Sequence, residues 1–202
     1  MTTIENRDYT LILDKSGSMA QPDNRTGRSR WNVVQESTLA LAARCEQLDP
    51  DGITLYVFNG RFRRYDNVRS DTVAKVFREH EPMGSTNLAG VLDDALAQYF
   101  ARKRAGQTQR GETILVVTDG EPDDPRAVMK VLIEAARKID RDEELAVSFV
   151  QVGDDPGATR FLKALDDDLV RAGARFDIVD TLTVNDLEDR PIAEVLLDAI
   201  ND

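Results

Sequence analysis

The feature that most constrains this chain is the regular alternation of short apolar runs with longer segments of helical period. The apolar runs are rich in β-branched and aromatic residues and are bounded by Asp, Gly or Asn; they cover residues 9–13, 53–58, 113–117, 145–150 and 175–179. Strands that are apolar along nearly their whole length are buried on both faces. The pattern therefore predicts a parallel sheet that is covered by helices on its two sides.

The segments between the runs carry one-sided apolar stripes that step by three or four residues, within 31–48, 88–99, 128–139, 161–169 and 192–200. Strands that alternate with helices predict right-handed crossovers and a three-layer, doubly wound, Rossmann-like α/β fold. A short run at 62–65 follows Asn59 and Gly60 and predicts one antiparallel edge strand. We expect a single domain over residues 1–202, with its core at about 8–200.

Size and charge narrow the functional classes. A chain of 202 residues fits one domain. Its formal net charge of -11 disfavours nucleic acid and anionic membranes as partners. The single Cys45 cannot form an intrachain disulfide, and no run reaches the roughly 18 apolar residues of a membrane span. No signal-like segment stands at the start, so we expect a cytoplasmic location.

Hydroxyl and carboxylate side chains follow two of the predicted strands and open one of the predicted helices. The motif Asp-x-Ser-x-Ser begins at Asp14, Gly-Ser-Thr ends at Thr86, and Thr-Asp-Gly surrounds Asp119. Ligands of doubly wound sheets bind beyond the carboxyl ends of the strands, where these segments are expected to lie. Oxygen ligands select Mg²⁺, Mn²⁺ or Ca²⁺, and one His and one Cys cannot build a nitrogen or sulfur site. The residues indicated are Asp14, Ser16, Ser18, Thr86 and Asp119.

These three motifs, in this order, resemble the metal-ion-dependent adhesion site (MIDAS) of von Willebrand factor type A (VWA) domains. The resemblance implies Mg²⁺, or Mn²⁺ or Ca²⁺, bound by the hydroxyls of Ser16, Ser18 and Thr86. It implies that Asp14 and Asp119 bind the ion directly or through water. It further implies cation-dependent binding of a protein whose Asp or Glu completes the coordination. Intracellular relatives are commonly subunits of larger assemblies, often with AAA+ ATPases.

Two alternative functions stay open for this chain: a Mg²⁺-dependent phosphohydrolase, and a structural scaffold whose site has lost metal binding. Phosphatases of the haloacid dehalogenase type carry Asp-x-Asp after the first strand, whereas Ser16 stands at the second position here. The chain contains no nucleophile elbow, dinucleotide-binding glycine motif or P-loop. We therefore expect an interaction domain and not an enzyme.

The loop at 21–30 contains Arg25, Arg28 and Arg30. We expect a solvated loop; a rim of arginines that selects carboxylate or phosphate is the alternative. We also expect Asp119 to lie on an exposed loop, so that Asp119→Ala would weaken partner binding far more than folding.

Overall fold

The computed structural model describes residues 7–24, 26–48, 52–108 and 111–182, and for residues 44–48 it describes the backbone only. The strands within these residues are β1 (Asp8–Asp14), β2 (Ile53–Phe58), β3 (Phe62–Val68), β4 (Glu112–Thr118), β5 (Leu145–Gln151) and β6 (Val179–Leu182). They form one sheet in the order β3-β2-β1-β4-β5-β6. The edge strand β3 pairs antiparallel with β2, and the other pairings are parallel.

The helices of the described residues are α1 (Arg30–Leu48), α2 (Ser70–Arg78), α3 (Leu88–Arg104), α4 (Pro125–Lys138) and α5 (Pro156–Asp168). Asp124 and Asp155 each accept a backbone N–H from the first turn of the following helix, and each is followed by proline. Proline suits this position because the first turn has no intrahelical acceptor for its N–H. In the part of the chain that the structure describes, no helix combines the length and apolar character that a membrane crossing requires.

Two apolar clusters cover the two faces of the sheet. Leu11 and Leu13 of β1 pack with α1 and α2, whereas Ile12 packs with α3, α4 and α5. Successive side chains of a strand point to opposite faces. An uninterrupted apolar strand is therefore buried on both sides, as its sequence predicted.

The strand order places a topological switch point at the centre of the sheet. From β1 the chain builds β2 and β3 on one side, then crosses to β4 on the other side of β1. The loops that leave the carboxyl ends of β1 and β4 therefore diverge and leave a crevice between them, which is where such folds bind ligands.

The predicted fold class is confirmed, including the antiparallel edge strand. The predicted strand at 175–179 is wrong, because the paired strand begins only at Val179 and ends at Leu182. Asp166 of α5 accepts hydrogen bonds from both the backbone N–H and the hydroxyl of Thr181, which fixes the later segment against the sheet. The helix α2 was not predicted. The predicted helix at 192–200 lies outside the described residues, and the single-domain extent of 1–202 stays a prediction.

Replacement of a large side chain in the central core is expected to destabilise the fold strongly. Phe149 on β5 is fully buried, so Phe149→Ala should lower the free energy of unfolding by about 3–5 kcal/mol. Leu39 is 44% exposed, and Leu39→Ala should change it by about 0.5 kcal/mol or less. Urea denaturation checks both values. Similar midpoints for the two variants would contradict this assignment of the core.

Candidate metal centre

Asp14 is a fully buried carboxylate at the end of the central strand β1. Its Oδ1 accepts the backbone N–H of Ser16 at 2.7 Å, and its Oδ2 accepts the hydroxyl of Thr118 at 2.7 Å. Burial raises the pKa of Asp14 to about 6, and the neighbouring Asp119 also raises it, while these hydrogen bonds lower it. Within the described residues Asp14 forms no ion pair, so only neutral donors compensate its charge.

The two serines of the first motif connect this strand end to the loop after β4. Ser16 Oγ and Ser18 Oγ lie 3.1 Å apart, and Ser18 Oγ donates to Asp119 Oδ1 at 2.7 Å. A 3-10 turn over Gly17–Ala20 brings Ser18 back over the end of the strand. Four of the five predicted ligands, Asp14, Ser16, Ser18 and Asp119, are therefore joined by a continuous chain of short contacts.

The loop that carries Thr86 is fastened to the same turn. Gly84 O accepts the backbone N–H of Gly17 at 3.2 Å, and Met83 N donates to Lys15 O at 2.8 Å. Gly84 has a φ of 81°, a conformation that favours glycine. Thr86 itself is 8% exposed. The Gly-Ser-Thr motif therefore lies beside the Asp-x-Ser-x-Ser turn, and backbone hydrogen bonds join the two.

Asp123 holds the other side of this loop. Its Oδ1 accepts the backbone N–H of Thr86 at 3.0 Å, and its own N–H donates to Thr86 O at 3.0 Å. Acidic residues before a proline are typical of a helix N-terminus, but among the acids before Pro125 it is Asp124 that caps α4. These two hydrogen bonds join the Thr86 loop to the loop after β4. No local sequence signal distinguished Asp123 from the neighbouring acids.

Asp119 is buried, contrary to the expectation of an exposed loop position. It is 1% exposed, and its Oδ2 accepts Arg30 Nη1 at 2.7 Å. The side chain of Arg30 is only 9% exposed. Removal of Asp119 would leave this buried guanidinium with the 58% exposed Asp154, 3.8 Å from Nη2, as its remaining counter-charge among the described residues. Breaking a buried pair costs about 3–5 kcal/mol. The expected exposure of Asp119 is therefore wrong, and we now expect Asp119→Ala to destabilise the fold as well as the site.

The arginines of the loop at 21–30 do not share one environment. Arg30 begins α1 and is buried, whereas the 47% exposed Arg28 pairs with Glu36 at 2.8 Å. Arg25 lies outside the described residues. The loop is closed by a bridge between Pro22 and Ser29. Arg30 thus contradicts the expectation of a solvated loop, since it forms part of the candidate centre.

The donor set suits a hard divalent cation. It consists of carboxylate and hydroxyl oxygens, which Mg²⁺, Mn²⁺ and Ca²⁺ prefer. Among the described residues there is no group of three or more His, Cys, Asp and Glu side chains that could hold a metal. Any ion here would therefore depend on the hydroxyls as well as on Asp14 and Asp119. Only neutral donors among the described residues offset the charge of Asp14, which favours a cation nearby.

Comparison with sequence-family models finds a match. A family model described as the vWA found in the TerF C terminus matches residues 7–200. No curated protein matches the chain.

Several solved structures share the fold. The PilB minor pilin of Streptococcus sanguinis is 13% identical with a TM-score of 0.67 over 99% of this chain, which spans 61% of the pilin chain. The SpRpn10 VWA domain is 10% identical with a TM-score of 0.66, over 95% of this chain and 94% of that one. The manganese-loaded TRAP protein of Plasmodium vivax is 14% identical with a TM-score of 0.62, over 98% and 74%. At these identities the likeness establishes the fold.

We expect the hydroxyl of Thr118 to stabilise the fold, because it donates a hydrogen bond to the buried Asp14. Thr118→Val keeps the shape but removes the donor to Asp14 Oδ2, and an unsatisfied buried acceptor costs about 1–3 kcal/mol. Thr118→Ser keeps the hydroxyl and serves as the matched control. Urea denaturation in EDTA compares the two variants. The proposed role of this hydrogen bond is wrong if the serine variant is as unstable as the valine variant.

Proposed function

Because the chain belongs to the family of VWA domains found at the C terminus of TerF, we propose that it binds a partner protein through a divalent cation at a MIDAS-type centre. The observation that carries this proposal is the contact chain that gathers Asp14, Ser16, Ser18 and Asp119 at the switch point of the sheet. These groups come from two loops that are about a hundred residues apart in sequence. Their convergence at a ligand-binding position of the fold supports a shared ligand.

In this proposal the ion is held by the hydroxyls of Ser16, Ser18 and Thr86. The carboxylates of Asp14 and Asp119 bind it directly or through water. Octahedral Mg²⁺ has six positions, and these five side chains fill at most about five of them. The ion would supply an electrophilic position for an oxygen ligand from outside the chain. An Asp or Glu of the partner suits that position because it carries a negative charge. The TRAP protein, similar in fold, is manganese-loaded, which supports testing Mn²⁺ as well as Mg²⁺.

The class of partner follows from the same centre. The net charge of -11 supports a protein over nucleic acid or an anionic membrane, because a local metal ion can attract an acidic side chain within a repelling overall field. Membership of an assembly with an AAA+ ATPase and a cytoplasmic location stay predictions that rest on the family resemblance.

Loss of one hydroxyl ligand is expected to weaken cation binding without damage to the fold. Thr86→Val keeps the side-chain shape and the backbone bonds to Asp123, and it should weaken Mg²⁺ binding by about tenfold or more. Ser85→Ala removes an exposed neighbouring hydroxyl outside the proposed ligand set and should leave the affinity unchanged. Calorimetric titration measures the affinities, and urea denaturation in EDTA verifies folding. Equal affinity for wild type and Thr86→Val would contradict the proposed ligand set.

Partner capture is expected to require the cation. Immobilised wild-type chain should retain a protein from cell extract in Mg²⁺ and release it in EDTA, while Thr86→Val should retain about a tenth as much or less. Ser85→Ala should behave as wild type. Capture that persists equally in EDTA and in Thr86→Val would contradict a metal-mediated contact. Hydrolysis of phosphate esters with Mg²⁺ that disappears in Asp14→Ala would instead favour a phosphohydrolase.

A further inference from the structure

Arg30 is a positive charge enclosed within the candidate centre. Its Nη1 donates to Asp119 Oδ2 at 2.7 Å, and its Nη2 lies 3.8 Å from Oδ1 of Asp154, a carboxylate that is 58% exposed. Asn24 also donates to the Asp154 carboxylate. The side chain of Arg30 is 9% exposed, and its Nε is buried without a hydrogen-bond partner in the described part of the chain. A buried pair of this kind is weakly screened, whereas the exposed Asp154 contributes less.

The backbone after β5 is shaped around this guanidinium. Gly153 has a φ of 76°, and a Cβ built on it would lie 2.5 Å from Arg30 Cζ. Only a residue without a side chain lets the loop pack this closely against the flat face of the guanidinium. Arg30 is therefore fixed by α1, by Asp119 and by the loop after β5, and it is not a mobile surface charge.

The position of Arg30 changes the charge balance of a loaded centre. A dication that faces the carboxylates of Asp14 and Asp119 would be neutralised by them. The guanidinium adds one positive charge. Asp154 lies 3.8 Å from Nη2 but is 58% exposed, so water screens its charge and it offsets the guanidinium only in part. The loaded centre would thus keep positive charge and favour an anion over water at its open position. The same charge repels the cation, so it lowers the affinity for metal.

We propose that Arg30 is a specificity-determining residue of this centre. Arg30 donates a hydrogen bond to Oδ2 of Asp119, whereas Oδ1 accepts one from Ser18. The charge of Arg30 weakens cation binding and gives the loaded centre its preference for a carboxylate ligand. This inference rests on the proposed metal-binding function. It adds that Arg30 determines which class of external ligand the bound ion accepts.

The cation affinity of three variants tests the first half of the proposal. Arg30→Gln should bind Mn²⁺ about tenfold more tightly than wild type, the order expected when a unit charge close to a dication is removed in a partly solvated site. Arg30→Lys keeps the charge and should stay within about twofold of wild type. Arg28→Gln is the matched control, since it removes the same charge from an exposed arginine of the same segment. Mn²⁺ titration followed by electron paramagnetic resonance gives the affinities. The proposal is overturned if Arg30→Gln binds Mn²⁺ no more tightly than Arg28→Gln.

The response to acetate tests the second half and uses acetate as a simple carboxylate probe. At constant ionic strength, replacing chloride by about 0.1 M acetate should raise the apparent Mn²⁺ affinity of wild type by about threefold, after correction for Mn²⁺–acetate complexes in solution. The gain should disappear in Arg30→Gln and persist in Arg28→Gln. Because the wild-type measurement needs no variant to fold, absence of any acetate effect on wild type overturns the carboxylate preference.

The Mn²⁺ titrations distinguish failure of metal binding from failure of the role of Arg30. Wild type that binds no Mn²⁺ would overturn the proposed function and this inference together. Wild type that binds Mn²⁺, with Arg30→Gln and Arg28→Gln alike in affinity and in acetate response, would overturn only the role of Arg30. Urea midpoints in EDTA and in Mn²⁺ show whether each variant is folded during the titration.

Discussion

The burial of two carboxylates next to one another at the centre of a parallel sheet is the constraint on which the rest of this site depends. Asp14 and Asp119 are 0% and 1% exposed, and each charge raises the cost of the other. The two negative charges are offset by different groups. Asp119 has the guanidinium of Arg30, while the donors to Asp14 in the described part of the chain are neutral: the hydroxyl of Thr118 and the backbone N–H and side chain of Ser16. An unbalanced buried charge of this kind is costly unless a ligand offsets it, which is why a cation is the natural complement.

The loops around the crevice are organised by this pair of acids. Ser18 connects the two sides, Asp123 holds Thr86 through its backbone, and Gly153 leaves space for Arg30. The fold supplies the position, because β1 and β4 are neighbours from which the chain departs in opposite directions. The chemistry is supplied by the loops. For this reason proteins of 10–14% identity share this architecture, and that likeness says nothing of what this chain binds.

Much of this arrangement could be predicted from sequence because its signals are local. Runs such as 113–117 predict buried strands by themselves, and the motifs at Asp14, Thr86 and Asp119 stand next to strand or helix ends. The last strand was misplaced because apolar residues before Val179 fit the same pattern, and pairing with β5 decides where it begins. Arg30 could not be assigned either. Its partner lies 89 residues away, and a buried ion pair leaves no pattern in the neighbouring sequence.

The most direct measurement is a crystal structure of the 202-residue chain soaked with manganese, with data that record the anomalous signal of the ion. We expect a single strong peak within about 2.6 Å of the hydroxyl oxygens of Ser16, Ser18 and Thr86, beside the carboxylates of Asp14 and Asp119. Arg30 should remain on Asp119 in the same crystal. Absence of a peak at saturating manganese, or a peak bound elsewhere on the chain, would contradict the account.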